Sequence, residues 1–418
     1  MVQSATLQKG LLMKSVFSQY RGLPRDLYIL AAARAIASAG AFIMPMLTLI
    51  LTQKMGLTAA QAGLLVSGAS FSYVPGSLIG GKLADTFGRK KVILIAEVLS
   101  AVSWIVCGFF PESTSIIPFI IVAYLCMGAI DPSSTALITD LTPPDKRKTA
   151  FSLSYLGHNL GIAIGPLIAG FLFLNHARWM FWGDGITTLV AALLILFFVA
   201  ESKPQTDATA HNEKEASVEG SVWPVLRARP FLIWFTLANF LLTFCYAQLF
   251  FSLPLQLESL FGDRGAQSFG WVMTVNAVTV LLMTPFIIAI TKKIHAIFNV
   301  AMAGGLFVIG FGAIYWASNL WVFLATTIVW TFGEILSSTN ANAYIASHSP
   351  QSHRARINSI LPLVFGMGFG LAPMIMGQFI ETYSIQNAWL LVMMLSATGA
   401  MLMVWLGVSE IKRESTKG

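Results

Sequence analysis

Three ionisable residues of the 418-residue chain, Arg34, Asp131 and Glu334, lie inside long apolar stretches, where they could bind protons or charged ligands. A charge near the centre of a bilayer costs about 2.5 to 3.5 kcal/mol on the insertion scale, so such residues persist when they are paired or face a water-filled cavity. We therefore take all three as candidate proton- or substrate-binding residues. The alternatives are that Arg34 or Asp131 reaches the headgroups from a helix end, or that Glu334 makes a structural hydrogen bond.

Uncharged polar and aromatic residues in the second half of the chain are candidates for lining a cavity. Interhelical hydrogen bonding explains the polar ones equally well. These candidates are Asn239, Tyr246, Gln248, Asn276 and Trp330.

Three further titratable residues are assigned structural roles. Glu97 follows a basic loop closely enough to reach solvent. A lone histidine such as His158 is more often a packing residue than a proton carrier. Asp184 comes near the start of an apolar stretch, where an acidic side chain interacts favourably with the helix dipole.

The elements that must position these residues are membrane-spanning helices. The chain is 56% hydrophobic and 11% charged, whereas soluble domains carry roughly 25% charge. A soluble enzyme is therefore excluded, and three cysteines exclude a disulfide scaffold.

Stretches of about 20 apolar residues can cross a bilayer, and the lack of strict alternation of apolar and polar residues favours helices over a barrel. Twelve such stretches, numbered here as spans 1 to 12, lie near 27–52, 60–84, 92–110, 116–139, 149–174, 179–199, 231–256, 268–290, 297–316, 320–346, 357–380 and 386–408.

The basic residues predict the orientation of these spans. Of the 26 Lys and Arg, only Lys54, Arg178 and Arg264 fall on one side of the membrane, and Arg34 lies within span 1. The others fall on the opposite side together with both termini. The positive-inside rule makes that side cytoplasmic. The formal charge of +7 is therefore a topology signal and does not indicate nucleic-acid binding.

A polar linker divides the chain into equal halves. We predict a cytoplasmic tail over 1–26, a six-helix bundle over 27–200, a linker over 201–230, a second six-helix bundle over 231–408 and a C-terminal tail over 409–418. The linker is rich in Ser, Glu, Lys and Pro. Two halves that rock about a site near the membrane midplane are the arrangement that an alternating-access transporter needs.

The loop after span 2 carries the most specific motif of the sequence. It reads Gly81-Lys-Leu-Ala-Asp85-Thr-Phe-Gly88-Arg89-Lys-Lys, which resembles the G-x-L-A-D-x-x-G-R-K signature of the major facilitator superfamily. The glycines allow a tight turn and close helix approach. The resemblance implies that Asp85 and Arg89 form a conformational latch, with Asp140 at the end of span 4 as the acidic partner.

A second motif lies in span 5. Gly161, Gly165, Pro166 and Gly170 occur in a pattern that looks like the G-x-x-x-G-P-x-x-G-G motif of the drug:proton antiporter branch, with Ala169 in place of one glycine. Small residues four apart let helices pack closely, and proline bends a helix. Generic packing is the alternative interpretation. Beside the first motif, this one favours export over uptake.

The resemblance also bears on the ionisable residues. Tyr124 stands where the family's span 4 arginine would be, which weakens a mechanism that depends on that arginine. Spans 1 and 4 line the central cavity in this superfamily, so Arg34 and Asp131 are expected to face inward and lie near one another. The Gly-Glu-Ile sequence at Glu334 is similar to that of multidrug/proton antiporters, where the glutamate helps to bind cations and protons.

These expectations together describe an all-α membrane protein with twelve helices in two six-helix bundles, the major facilitator fold. Its predicted function is proton-coupled export of lipophilic, cationic small molecules from a bacterial-type cytoplasmic membrane. The expected partners are a small-molecule substrate, protons and the lipid bilayer, with no nucleic acid, and the expected state is a monomer. The sequence has no zinc spacing and no catalytic motif, so no enzyme activity, metal or cofactor is predicted. The alternatives are a transporter of one metabolite (a sugar, amino acid or lipid precursor) and a non-transporting sensor.

Overall fold

The computed structural model describes residues 20–202, 226–227, 229–349 and 354–415, and its regular structure there is helical throughout. The predicted tail over 1–26 and linker over 201–230 lie largely outside these residues. The long helices fall on the twelve predicted spans, which keep their numbers. They are Arg25–Ala39 and Ile43–Leu49 with the π turn Ile50–Lys54 (span 1), Ala59–Phe87 (span 2), Arg89–Cys107 (span 3), Ile117–Asp140 (span 4), Arg147–Leu172 (span 5), Ala177–Phe198 (span 6), Pro230–Tyr246 and Ser252–Phe261 (span 7), Gly265–Thr291 (span 8), Ala296–Gly312 (span 9), Leu320–His348 (span 10), Arg354–Thr382 (span 11) and Ile385–Ser415 (span 12).

Length and composition alone identify ten membrane-spanning segments among the described residues. One of them, the 62-residue segment Pro230–Thr291, contains both span 7 and span 8. Span 3 does not qualify because Arg89, Lys90, Lys91 and Glu97 all lie within it. The helices themselves therefore account for twelve crossings.

The two halves of the chain pack their helices in the same order. In the first half, each span packs against the next in the order 2-4-3-6-1-5. In the second half, the corresponding order of spans is 8-10-9-12-7-11. Adding six to each number of the first order gives the second. The halves are therefore two similar six-helix bundles, a repeat that the amino-acid letters alone do not reveal.

Spans 1 and 7 are both interrupted, which hydropathy did not predict. The first breaks between Ala39 and Ile43, and the second between Tyr246 and Ser252. The second segments of these spans contact each other, and the Thr48 hydroxyl donates a hydrogen bond at 2.9 Å to the carbonyl of Phe250, which lies in the break of span 7. Equivalent helices of both halves are thus broken at equivalent depths.

The glycine motif of span 5 forms two helix contacts. A Cβ added at Gly161 would lie 2.5 Å from the Ala35 carbonyl of span 1, and one at Gly165 would lie 2.9 Å from the Ala39 carbonyl. A Cβ at Gly170 would lie 2.6 Å from the Ala266 carbonyl of span 8. The small residues therefore let span 5 pack closely on one helix of its own half and one of the other. Pro166 is accommodated inside the helix.

The two halves meet through spans 2 and 11 and through spans 5 and 8. We call the end of the molecule with Gly88, Asp140 and His295 the basic end, and the end with Gly56 and Gly262 the opposite end. A Cβ at Gly63 of span 2 would lie 2.1 Å from the Pro373 carbonyl of span 11, and a Cβ at Gly377 would lie 2.4 Å from the Ala59 carbonyl. Together with Gly170 against Ala266, these contacts close the opposite end.

Candidate functional site

An ion pair crosses the interior of the first bundle. Arg34 Nη1 lies 3.0 Å from Asp131 Oδ1, and the Tyr73 hydroxyl donates to Asp131 Oδ2 at 2.5 Å. Spans 1 and 4 are not packing neighbours, so the two side chains meet inside the ring of helices. The expected proximity of Arg34 and Asp131 is present, and Tyr73 is a partner that the sequence analysis did not name. The signal in the sequence that could have identified Tyr73 is its hydroxyl group in the middle of the apolar span 2.

This ion pair is accessible to solvent. The Arg34 and Asp131 side chains are 37% and 42% exposed although they lie within spans. Because the halves are in contact at the opposite end, water reaches the pair from the basic end. The structure therefore has a central cavity that is open at the basic end.

Glu334 in span 10 is surrounded by polar groups of the second bundle. Its Oε2 accepts a hydrogen bond from Asn276 Nδ2 at 2.7 Å, and Asn276 Nδ2 also contacts the Thr331 hydroxyl at 3.0 Å. Tyr246 of span 7 lies within electrostatic range of the same carboxylate. Span 8 thus supplies the hydrogen bond that holds Glu334 of span 10.

Span 5 lies beside both ionisable clusters. Tyr155 is half exposed and within electrostatic range of Glu334. One turn further on, His158 bonds to the Ser38 hydroxyl through Nδ1 at 2.8 Å and lies within electrostatic range of Arg34 and Asp131. Span 5 therefore lies within electrostatic range of the carboxylates of both halves.

The structure corrects part of the expected cavity lining. Asn239, Gln248 and Trp330 are enclosed in the second bundle with at most 2% exposure, so they do not line the cavity in this conformation. Gln248 bonds within its own chain segment, to the Phe244 carbonyl at 3.1 Å and the Ser252 hydroxyl at 2.5 Å. Trp330 stacks on Phe311 at 5.3 Å. Local hydrogen bonding explains Gln248 and aromatic packing explains Trp330, whereas Asn239 Oδ1 is buried without a hydrogen-bond partner among the described residues.

Two acidic residues lie in other environments than expected. Glu97 does not reach solvent, because it is 6% exposed and its Oε2 has no hydrogen-bond partner among the described residues. Asp184 does not begin its helix. It is buried within span 6, where Oδ2 accepts a hydrogen bond from the Ile43 backbone N–H at 3.3 Å. Asp184 therefore caps the second segment of span 1.

The motif loop forms an ion-pair network at the basic end. Arg89 Nη1 lies 2.9 Å from Asp85 Oδ1, and Arg89 Nε lies 3.2 Å from Asp140 Oδ2. Gly88 has a φ of 106°, which a residue with a side chain rarely adopts. Gly81, in contrast, has no atom within 4 Å of an added Cβ, so it makes none of the close approach expected of it. The loop brings the three charged residues together within the first half.

The segment after span 6 is part of the same network. Glu201 accepts hydrogen bonds from the backbone N–H groups of Lys90 at 2.9 Å and Lys91 at 3.3 Å, at the start of span 3. The Ser202 hydroxyl donates to Asp140 Oδ2 at 2.8 Å. The first residues of the predicted linker are therefore bound to the motif loop.

Comparison with known proteins identifies the family. The family model of the Major Facilitator Superfamily matches residues 29–337 and 259–418. This chain belongs to the major facilitator superfamily. It is accordingly a multi-pass membrane protein of a transporter family rather than an enzyme.

Individual relatives of this superfamily member differ in substrate. It is 24% identical to a Na(+), Li(+), K(+)/H(+) antiporter of Planococcus maritimus over 359 residues, covering 79% of this chain and 84% of the relative. It is 27% identical to the quinolone resistance protein NorA of Staphylococcus aureus over 164 residues, covering 39% and 42%. A solved structure of the nucleoside transporter NupG superposes with a TM-score of 0.75 at 13% identity, covering 91% of this chain and 99% of that one, which shows the shared fold.

Proposed function

We propose that this protein is a proton-coupled antiporter that exports lipophilic, cationic small molecules by alternating access. The observation that carries the proposal is that each half has one carboxylate within a span, Asp131 and Glu334, and that both lie within electrostatic range of span 5. Asp131 is half exposed to the cavity. Each carboxylate attracts a cation when ionised and releases it when it takes up a proton.

The remaining machinery follows from this arrangement. Arg34 tunes Asp131, and Asp85, Arg89 and Asp140 latch the basic end when the cavity opens on the other side. The basic end faces the cytoplasm of a bacterial-type cell, as the distribution of Lys and Arg favours. The protein works as a monomer, because each half already supplies one carboxylate.

A substitution at Glu334 tests the proposal. In proteoliposomes with an imposed pH gradient, Glu334→Gln should abolish efflux of a cationic dye, because a glutamine cannot exchange a proton. The amount of protein in the membrane should stay unchanged, since Asn276 can still hydrogen-bond the side chain. Glu112→Gln, at an exposed position of the loop after span 3, is the matched control. Unchanged efflux by Glu334→Gln would remove this residue from the mechanism.

A second candidate function is the exchange of a monovalent metal cation for protons. It is favoured by the similarity to the Na(+), Li(+), K(+)/H(+) antiporter along 84% of that protein. The same liposomes should be assayed with Na⁺ and K⁺ gradients and with a panel of sugars and amino acids. Proton release driven by Na⁺ or K⁺ but by no dye would favour this candidate, a narrow response to one metabolite would favour a dedicated transporter, and no flux at all would favour a sensor.

A further inference from the structure

The start of span 2, at the opposite end, has a backbone donor that is bound by the other half of the molecule. Thr58 and Gln61 form a capping box there. The Thr58 hydroxyl accepts a hydrogen bond from the Gln61 N–H at 3.3 Å, and the Gln61 side chain accepts one from the Thr58 N–H at 3.1 Å. The first N–H groups of a helix have no partner within it, and the Ala60 N–H donates to Glu381 Oε1 of span 11 at 2.8 Å. A carboxylate of the second half thus completes a helix end of the first half.

The packing of span 11 on span 2 brings Glu381 to this position. Gly377 lies one turn before Glu381, on the same face of span 11. A Cβ at Gly377 would lie 2.4 Å from the Ala59 carbonyl, so the lack of a side chain there lets span 11 approach the start of span 2. Further along the same interface, the Met374 N–H donates to the Ser67 hydroxyl at 3.0 Å. The Glu381 hydrogen bond is therefore part of the contact between the two halves.

The charge of Glu381 suits this helix end. The N-terminus of a helix carries a partial positive charge that attracts a carboxylate. Neither span 2 between residues 55 and 81 nor span 11 between residues 357 and 380 contains a charged residue. Lys54, which precedes span 2, donates to the Leu174 carbonyl of span 5 at 2.7 Å. The start of span 2 is thus a positive partner for Glu381 in this contact.

We propose that Glu381 latches the opposite end. It holds spans 2 and 11 together while the cavity is open at the basic end, and it releases the Ala60 N–H when the opposite end opens. The Gly63 and Gly377 contacts must separate in that step, so the Glu381 bond breaks with them. Glu381 is exposed, so water hydrates the released carboxylate. Asp85 lies in the last turn of span 2 at the basic end, as Glu381 does in span 11 at the opposite end. Glu381 is a positioning residue, and its part in transport rests on the proposed function.

Distance measurements between the halves test this latch without any transport assay. Spin labels on Glu112→Cys, in the loop after span 3, and on Ser318→Cys, in the loop after span 9, report whether the opposite end is open or closed. Glu381→Ala should raise the ratio of open to closed molecules about two- to fivefold, the range for an exposed acid at a helix N-terminus. The comparison is repeated with Gly63→Leu, which penalises closure and enlarges the open population. An unchanged ratio in both backgrounds would overturn the proposal.

Three further variants distinguish the charge of Glu381 from its size. Glu381→Gln keeps an acceptor oxygen without the charge, so its ratio should lie between those of the wild type and Glu381→Ala. Glu381→Lys places a positive charge at the helix N-terminus and should exceed Glu381→Ala. Thr382→Ala is the matched control, because the Thr382 hydroxyl bonds within span 11, to the Gln378 carbonyl at 2.9 Å. A wild-type ratio for Glu381→Lys, or an equal shift by Thr382→Ala, would contradict the latch.

Two other measurements separate the latch from stability and from the proposed function. A lower melting temperature of Glu381→Ala with an unchanged ratio would assign the bond to stability alone and refute the latch. If the wild-type protein shows no gradient-driven efflux of a cationic dye, the proposed function fails, and the distance measurements still decide on the latch. Efflux by the wild type together with equal ratios for the wild type and Glu381→Ala would leave the proposed function intact and reject the latch.

Discussion

Each carboxylate of the proposed mechanism is held by a neutral donor, and Asp131 is held by a charge as well. Asp131 has Arg34 and Tyr73, whereas Glu334 has Asn276 at 2.7 Å. Hydrogen bonds to a charged group contribute about 1.5 to 3 kcal/mol each. Replacing one donor should therefore change the behaviour of the carboxylate while leaving the carboxylate itself in place.

Asn276→Ala tests this statement for Glu334. The ionised carboxylate loses its closest donor, so gradient-driven efflux should fall roughly tenfold or more. Efflux assays in proteoliposomes would measure the change. Asn387→Ala, at an exposed position near the start of span 12, should have no effect. Wild-type efflux by Asn276→Ala would show that Asn276 only fills space between spans 8 and 10.

The ionisable residues could be found from the sequence because a charge in an apolar span is conspicuous. Their partners could not, since Asn276 has the same composition signal as Asn239, which is enclosed in the bundle. Glu97 was wrongly assigned because its distance from Lys90 and Lys91 along the chain suggested access to solvent. The direction in which it faces depends on the packing of span 3.

At the scale of helices, the motif loop ties together the ends of three spans. Arg89, which is 10% exposed, joins Asp85 at the end of span 2 to Asp140 at the end of span 4. Glu201, after span 6, caps the start of span 3. A change at this loop should therefore act on the movement of the spans and leave the binding site near Asp131 intact.

Asp85→Asn is expected to slow transport more than it weakens binding. Asp85 is 69% exposed, so its ion pair contributes little to stability and the variant should fold. Stopped-flow turnover should fall severalfold, and the dye affinity should stay within about twofold of the wild type, less than 1 kcal/mol. Thr86→Ala, the neighbouring exposed residue, is the control. A collapse of binding with normal turnover would mean that the latch assignment is wrong.

Most helix ends were predictable to within a few residues, whereas the end of span 12, which continues to Ser415 into the predicted tail, and the breaks in spans 1 and 7 were not. Apolar composition continues through Gly40 and through Ala247–Leu249, so hydropathy has no signal at these positions. The span 1 break is stabilised by contacts from span 6. Asp184 caps Ile43, and a Cβ on Gly40 would overlap Thr187. Because these contacts join residues of different spans, the hydropathy of span 1 alone does not predict the break.

At the scale of the whole molecule, the structure corresponds to one of the two end states of the proposed alternating-access cycle. Close packing of Gly63 on span 11 and of Gly170 on span 8 closes the opposite end. The same contacts must separate when the cavity opens there. A larger side chain at Gly63 or Gly170 should therefore favour the conformation in which the cavity is open at the opposite end.

Gly63→Leu tests this whole-molecule prediction. A Cβ at this position would lie 2.1 Å from the Pro373 carbonyl, so closure of the opposite end is penalised. A cysteine placed at Tyr155 should then react at least about fivefold less with an impermeant maleimide applied at the basic end, the effect of roughly 1 kcal/mol. Cys107, Cys126 and Cys245 are buried and give little background.

Gly68→Leu is the matched control for that experiment. Gly68 lies in the same span and has no atom within 4 Å of an added Cβ. Its labelling should equal that of the parent protein. Equal labelling of Gly63→Leu and Gly68→Leu would show that the contact between spans 2 and 11 does not set the conformation.

The central claim is that proton binding at Asp131 and Glu334 drives export. It is tested most directly by loading proteoliposomes with a cationic dye, imposing no pH gradient, and recording the pH on both sides as the dye leaves. We predict that protons move opposite to the dye for the wild-type protein and that neither moves for the variant with Asp131→Asn and Glu334→Gln together. Dye efflux without proton movement in the wild type, or coupled movement in the double variant, would contradict the claim.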